Sequence, residues 1–357
     1  MNRVDRRPLR SAVSRLLVLW LAVIGALGAS GGLRAQVKPT EHPFLWRIEG
    51  EVPSYLFGTI HLPDERVTTL HPAVEDALNG CDALYTELPM DLKTTTTALR
   101  LSALPRGQKL VDILGPDLLE RVQTFFDEHG VPFAAMGRLK PWAIATQIPL
   151  IDHLRQMSSG SPLDMMLYKR AAEDGKEVGG LETVEEQTSV FDGLTDAEQA
   201  TFTREALDSY ERHRKLGRDS YEDLIGAYVR GSGERLQKLM DEEEEFGDKQ
   251  LAEKIEKTLL VDRNRHMADR IAAHIASARG KKFMFAVGAA HGFGEHSVVK
   301  LLREKGFVVI RVPATPIEEA DARIESAEVQ LDAVKRRLEE LRQEREKLGA
   351  VPLKKAG

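Results

Sequence analysis

The apolar positions of this chain follow two periods, and the two alternate along its length. Phe44 to Ile48 and Ser54 to Ile60 are short runs of strand-forming residues around the turn Glu49-Gly50-Glu51, and Asp82 to Glu87 is a third such run. Between them, Pro72 to Leu78 has helical spacing and opens on a proline. Helical periodicity then takes over, predicting helices over 116–129, 141–154, 163–174, 196–215, 221–230, 234–240 and 251–278. Strand patterning returns at Lys282 to Val287 and Phe307 to Val312, which flank a helix over 297–305 stopped by Gly306.

The two ends of this stretch repeat one unit: an apolar strand running into Gly-x-x-His, a loop, a short helix and a second strand. Gly58-Thr59-Ile60-His61 is the first copy and Gly288-Ala289-Ala290-His291 the second. The pattern predicts an α/β (α+β) fold, with a central mixed sheet built from both halves and a largely helical insertion between them. If both halves enter one sheet, His61 and His291 emerge at the carboxyl ends of strands, where open α/β sheets place their ligands.

Beyond Pro316 the period changes again. Ile317, Ile324, Leu331 and Leu338 hold one heptad position, and Ala320, Ala327, Val334, Leu341 and Leu348 the complementary one, with charges outside. A coiled-coil tail is expected over 317–357, giving possible self-association. The competing reading is one amphipathic helix laid back on the domain.

At the other end, Arg3, Arg6, Arg7, Arg10 and Arg15 precede an apolar run from Leu16 to Leu27 and then small residues. This is a secretory leader layout, too short for an ordinary membrane span. Cleavage after Ala35 is expected, with Ala29 as a competing site and an uncleaved anchor as the rival. The expected division is therefore a signal peptide over 1–35, a domain over 36–316 and the tail, with a periplasmic or secreted location, membrane-attached only if the leader is retained.

Composition narrows the chemistry. The 357 residues are 42% hydrophobic and 30% charged, an ordinary globular profile, and Cys81 is the only cysteine. Intramolecular disulfides and cysteine-cluster metal sites are excluded, so any metal rests on His, Asp and Glu. The leader holds six basic residues and one acidic, leaving 44 basic against 55 acidic and a net charge of −11. Nucleic acid is not an expected partner, because a duplex binder needs a basic surface to displace counterions. The acidic run Asp241 to Glu245 is better explained as a solvated helical face than as a calcium site. Past the leader there is no Gly-x-Ser-x-Gly elbow, and the sequence has no His-Glu-x-x-His or phosphate loop.

Carboxylates are needed to complete a site at His61 and His291. Glu87 closes an apolar strand, where it must reach solvent, pair with a cation or bind a metal. Glu182 follows glycines in Gly179-Gly180-Leu181-Glu182 and is otherwise a surface residue beside a helix start. Arg263 and Asn264 lie in an amphipathic helix, where Arg263 would pair with a site carboxylate or a reaction intermediate, or serve as an ordinary salt bridge. His71 is expected at a turn, and His296 ranks below His291 because it lacks the Gly-x-x-His context.

Taken in order, Phe57-Gly58-Thr59-Ile60-His61-Leu62-Pro63, Thr86-Glu87-Leu88, Leu139-Lys140-Pro141-Trp142, Gly180-Leu181-Glu182-Thr183-Val184-Glu185-Glu186-Gln187, Arg263-Asn264-x-x-Met267 and Val287-Gly288-Ala289-Ala290-His291-Gly292 resemble the TraB/GumN family. This family includes the Tiki proteases and is similar in fold to erythromycin-esterase-like and ChaN-like proteins. The likeness covers about Phe44 to Pro313, with Ala290 standing where glycine is frequent. It implies a hydrolase acting on a peptide or protein, with a divalent metal ion (manganese, cobalt or zinc). The implied ligands are His61, His291, Glu87 and Glu182; Glu87, Glu182, Arg263 and Asn264 are the implied catalytic groups. Two other classes compete: a non-catalytic haem or iron binder, as in ChaN-like relatives, and a degenerate scaffold.

Overall fold

The computed structural model describes residues 38–153, 160–242 and 248–349. The expected leader, residues 243–247 of the acidic run's neighbourhood and the last residues of the tail lie outside them.

Six strands form one mixed sheet: β1 (Leu45–Ile48), β2 (Ser54–Thr59), β3 (Ala83–Thr86), β4 (Glu177–Gly180), β5 (Phe283–Gly288) and β6 (Val309–Val312), in the order β4-β3-β5-β2-β1-β6. Strands β4, β3, β5 and β2 pair in parallel, while β1 runs antiparallel to both β2 and β6. The six residues of β5 are all buried, as expected of a central strand covered on both faces.

The helices that position the site are α1 (Pro72–Gly80), α2 (Leu163–Glu173), α3 (Val184–Asp192), α4 (Arg263–Ser277) and α5 (Val298–Glu304), followed by the long α6 (Pro316–Gly349). The repeated unit is therefore β2-α1-β3 and β5-α5-β6. It is interleaved in space, since β5 lies between β2 and β3. Helix α4 covers one face of the sheet, where His274 packs on Tyr85 with Phe283 and Phe285 beside it. A second apolar core, containing Phe126, Trp142, Phe191 and Phe202, lies among the helices of the insertion. Trp142 of the Lys-Pro-Trp segment stacks on Phe191 there, away from the sheet.

Three local features differ from the pattern. Strand β4 is only Glu-Val-Gly-Gly, too short and glycine-rich for its alternation to show. Its glycines are steric necessities: a Cβ on Gly179 would stand 2.6 Å from the Tyr85 ring, and one on Gly180 2.3 Å from Pro89. The helix expected over 251–278 is interrupted by a π-helical stretch, Lys257–Asp262, directly before Arg263; such wide turns favour functional positions. The helix expected over 141–154 is short, Pro141–Ala145, and is followed by a 3-10 segment, Ile148–His153.

Candidate metal centre

The four parallel strands end together. Thr59 is level with Gly288, and Thr86 with both Ala286 and Gly180. The residues that follow these ends are His61, His291, Glu87 and Glu182, so register alone gathers them at one sheet edge. The Glu87 and Glu182 backbones stay paired past the strands, with Glu182 N–H donating to Glu87 O at 2.7 Å. Gly58 brings the two Gly-x-x-His segments into contact: a Cβ there would lie 3.0 Å from Ala289 Cα and 2.8 Å from Phe44 Cβ. The glycine's use is thus close packing between motifs rather than a left-handed turn.

All the polar side chains here are buried: His61, Glu87, Glu182, Arg263, Asn264 and His291. His61 Nδ1 lies 2.5 Å from Asp164 Oδ2, whose other oxygen accepts the Thr59 hydroxyl. A carboxylate can only accept, so Nδ1 carries the proton and Nε2 is turned to the interior. His291 Nδ1 lies 2.5 Å from Asn264 Oδ1, while Asn264 Nδ2 donates to His296 O at 2.7 Å. That second bond fixes the amide's orientation, and Nδ1 is again the protonated nitrogen. Neither His61 Nε2 nor His291 Nε2 makes a hydrogen bond. Both face Glu87 Oε1, at 3.9 and 3.5 Å.

Arg263 occupies the other side of the carboxylates. Its Nη2 donates to Glu87 Oε2 and to Glu182 Oε2, each at 2.6 Å, and its Nε reaches Glu182 Oε1 at 3.0 Å. Gln187 Nε2 donates to Glu182 Oε2 at 3.0 Å and lies 3.3 Å from Glu87 Oε2. Glu87 Oε1 accepts the Gly288 N–H at 2.6 Å and keeps its remaining acceptor capacity toward the histidines. Glu182 is thus held by Arg263 and Gln187, one step back from the imidazoles.

Charge in this cluster is unbalanced. Glu87, Glu182 and Asp164 face a single guanidinium, an excess of two negative charges when the imidazoles are neutral. Burial opposes charging of His61, yet the Asp164 carboxylate outweighs it and lifts that ring to about 9. His291, buried against a neutral amide, is pushed down to about 3, because Arg263 and His61 add to burial and outweigh Glu87. Burial would raise Glu87, but Arg263 and the two histidines hold it at about 2. Arg263 is buried too, and its two carboxylates keep it firmly charged.

Among the described residues no group of three or more His, Cys, Asp or Glu closes into a formed metal cage. The donors that do converge nevertheless fit a divalent cation. Two buried imidazole nitrogens lack partners, a carboxylate oxygen lies within 4 Å of each, and the surplus charge matches.

Three of these partners were not singled out from the sequence. Asp164 falls in the first turn of α2, where an acid ordinarily complements the helix dipole. Thr59 and Gln187 lie inside recognised motifs but carry no chemistry of their own. Gln187 is placed by the Thr183 capping box that starts α3, in which Glu186 is the capping partner. His71 caps α1, accepting the Ala73 N–H at 3.1 Å. His296 is exposed and contributes only its carbonyl.

The profile of the TraB/PrgY/gumN family matches residues 44–311. Relatives include the proteins named metalloprotease TIKI2 of Danio rerio, 28% identical over 76% of this chain and 61% of its own length, and metalloprotease TIKI1 of Homo sapiens, 27% identical over 80% and 66%. Metalloprotease TIKI1 of Danio rerio is 27% identical over 84% of this chain and 70% of its own length. The chain thus spans roughly two thirds of the length of these relatives. No solved structure matches it. On a profile that covers the sheet as far as Arg311 in β6 and every residue of the buried polar cluster, the chain belongs to the TraB/PrgY/gumN family.

Proposed function

We propose that this protein is an extracytoplasmic metal-dependent peptidase whose centre lies at the carboxyl edge of the parallel strands. The observation that carries the reading is the pair of buried, unpartnered Nε2 atoms facing one oxygen of Glu87. Relatives named metalloproteases support the reaction class. The arginine-led leader supports the location.

His61 Nε2, His291 Nε2 and Glu87 Oε1 would hold a divalent ion such as manganese, cobalt or zinc. When bound, such an ion polarises a peptide carbonyl and lowers the pKa of water. Asp164 and Asn264 fix the two rings so that their free nitrogens point inward. Arg263 keeps Glu87 ionised and fixes its orientation, while Glu182 and Gln187 hold Arg263 and the carboxylates in one hydrogen-bonded network. With Oε1 on the ion and the Gly288 N–H, and Oε2 on Arg263, Glu87 would serve as a ligand rather than as a base. With its donors turned to Glu87 and Glu182, Arg263 serves as an organiser of carboxylates rather than as a free oxyanion donor.

The test joins binding to cleavage. Cobalt titration followed by visible absorption should give one site per chain, lost in His61→Ala and in His291→Ala, and a peptide library should be cleaved only by the metal-loaded wild type. A chain that binds no divalent ion, or that shows a Soret band with haem and cleaves nothing, would refute the proposal.

A further inference from the structure

Helix α6 presents two faces with different fates. Ala322 and Ser326 are buried against the domain, and Gln330 donates to Gly306 O at 2.9 Å. Arg303 with Glu325 at 3.0 Å, and Arg47 with Glu319 at 3.1 Å, tie down the same stretch. Yet the heptad residues Ile317, Ile324, Leu331, Val334, Leu338 and Leu341 are 45–73% exposed. With Ile317 at position a, Ala322 falls at f and Ser326 at c, which lie opposite the a/d seam. The domain therefore holds the helix by its back and turns the seam outward. An amphipathic helix lying on its own domain would do the reverse.

The charges beside the seam identify the occupant. Position e reads Asp321, Glu328, Lys335 and Arg342, two acids and then two bases along one edge. Turned about a two-fold axis between Leu331 and Val334, this edge is its own complement: Asp321 meets Arg342 of a second copy, Glu328 meets its Lys335, and both contacts recur by symmetry. The same axis sets Ile324 against Leu341, Leu331 against Val334, Leu338 against Ala327 and Arg345 against Ala320. A parallel pair would instead bring Arg345 against Arg345 at position a, and stack Ala320 on Ala320 and Ala327 on Ala327. Among the described residues Lys335 and Arg342 make exposed same-helix pairs, with Asp332 at 3.0 Å and Glu339 at 3.5 Å. Such pairs are worth little and exchange readily.

We propose that the outward seam of α6 binds a second copy of this chain in an antiparallel two-stranded coiled coil, with the two domains at opposite ends of the rod. This proposal is independent of the metal centre.

Light scattering on the full chain should give a dimer mass. A spin label at Asp321→Cys, on a Cys81→Ala background, should report a separation of about 30 Å, because residue 321 then faces residue 342 across a rise of 1.5 Å per residue. A parallel pair would give about 10 Å. Lys335→Glu with Arg342→Glu sets acid against acid only in the antiparallel arrangement, and should raise the dissociation constant by roughly tenfold or more. Adding Asp321→Lys and Glu328→Lys to that variant should restore it, which also shows that the doubly changed chain folds. A monomer at ~100 μM, a level at which a weak but specific pair still associates, would overturn the proposal, as would a short label distance or a dimer unaffected by the charge reversal.

Discussion

His61 Nδ1 and Asp164 Oδ2 meet at 2.5 Å across 103 residues of chain. One carboxylate thus sets the tautomer of the first histidine and, through its other oxygen, ties down the Thr59 hydroxyl. His291 receives the same service from a neutral amide, Asn264. Asp164→Ala should lower divalent-metal affinity by about 10–100-fold, the usual cost of losing a ligand's outer partner. Asp164→Asn retains an acceptor for Nδ1 and should lose less. Calorimetric titration of both variants decides the matter, and equal affinity in wild type and Asp164→Ala would remove Asp164 from the site.

Arg263 is the sole guanidinium between Glu87 and Glu182 among the described contacts. Arg263→Met would leave two carboxylates buried without their cation, a loss of about 3–5 kcal/mol. Urea unfolding of the metal-free variant should show it. Added divalent ion should recover part of the loss, since it supplies charge to Glu87. A stability within error of wild type would contradict the buried geometry.

The two histidines titrate in opposite directions, so the site's contribution to stability has a maximum. Between about pH 6.5 and 9 the folded, metal-free protein holds a proton on His61 that the unfolded chain has released, and stability falls as pH rises through that window. Between about pH 6.5 and 3 the unfolded chain protonates His291 while the folded state resists, and stability falls as pH drops. Urea midpoints of metal-free wild type should therefore peak near pH 6.5 relative to the His61→Ala, His291→Ala double variant. Metal binding must displace the His61 proton, so affinity should climb with pH up to about 9. A flat affinity between pH 6 and 8 would count against the lifted His61.

Gly58→Ala tests the contact between the two motifs. The new methyl meets Phe44 Cβ at 2.8 Å and Ala289 Cα at 3.0 Å, both attached to backbone that cannot swing away. Overpacking of this kind costs about 1–3 kcal/mol, and here it should also part the histidines. Thermal unfolding and cobalt titration should both weaken, whereas Gly80→Ala, with open space around its Cβ position, should change neither.

Much of this was legible in the linear pattern, because period and punctuation are local properties. The strand runs before Gly58 and Gly288, the paired Gly-x-x-His motifs and the heptads each lie within a few consecutive residues, and the mixed sheet that they predict is the sheet observed. Family membership followed from the order of such motifs. Tertiary structure decided what each polar residue faces. Asp164 looks like any acid in a helix's first turn until α2 packs beside β3 and carries it to His61. Glu182 and Glu87 become neighbours only through strand β4, whose two glycines hide its alternation and are required by Tyr85 and Pro89 across the ladder. The heptads announced a seam but not its direction, which depends on whether the domain takes the a/d face or the c/f face, and small buried Ala322 and Ser326 settled that. Hydrophobic period records how much surface an element must hide; which charge neutralises a buried carboxylate depends on contacts between segments remote in sequence, and these leave no period to read.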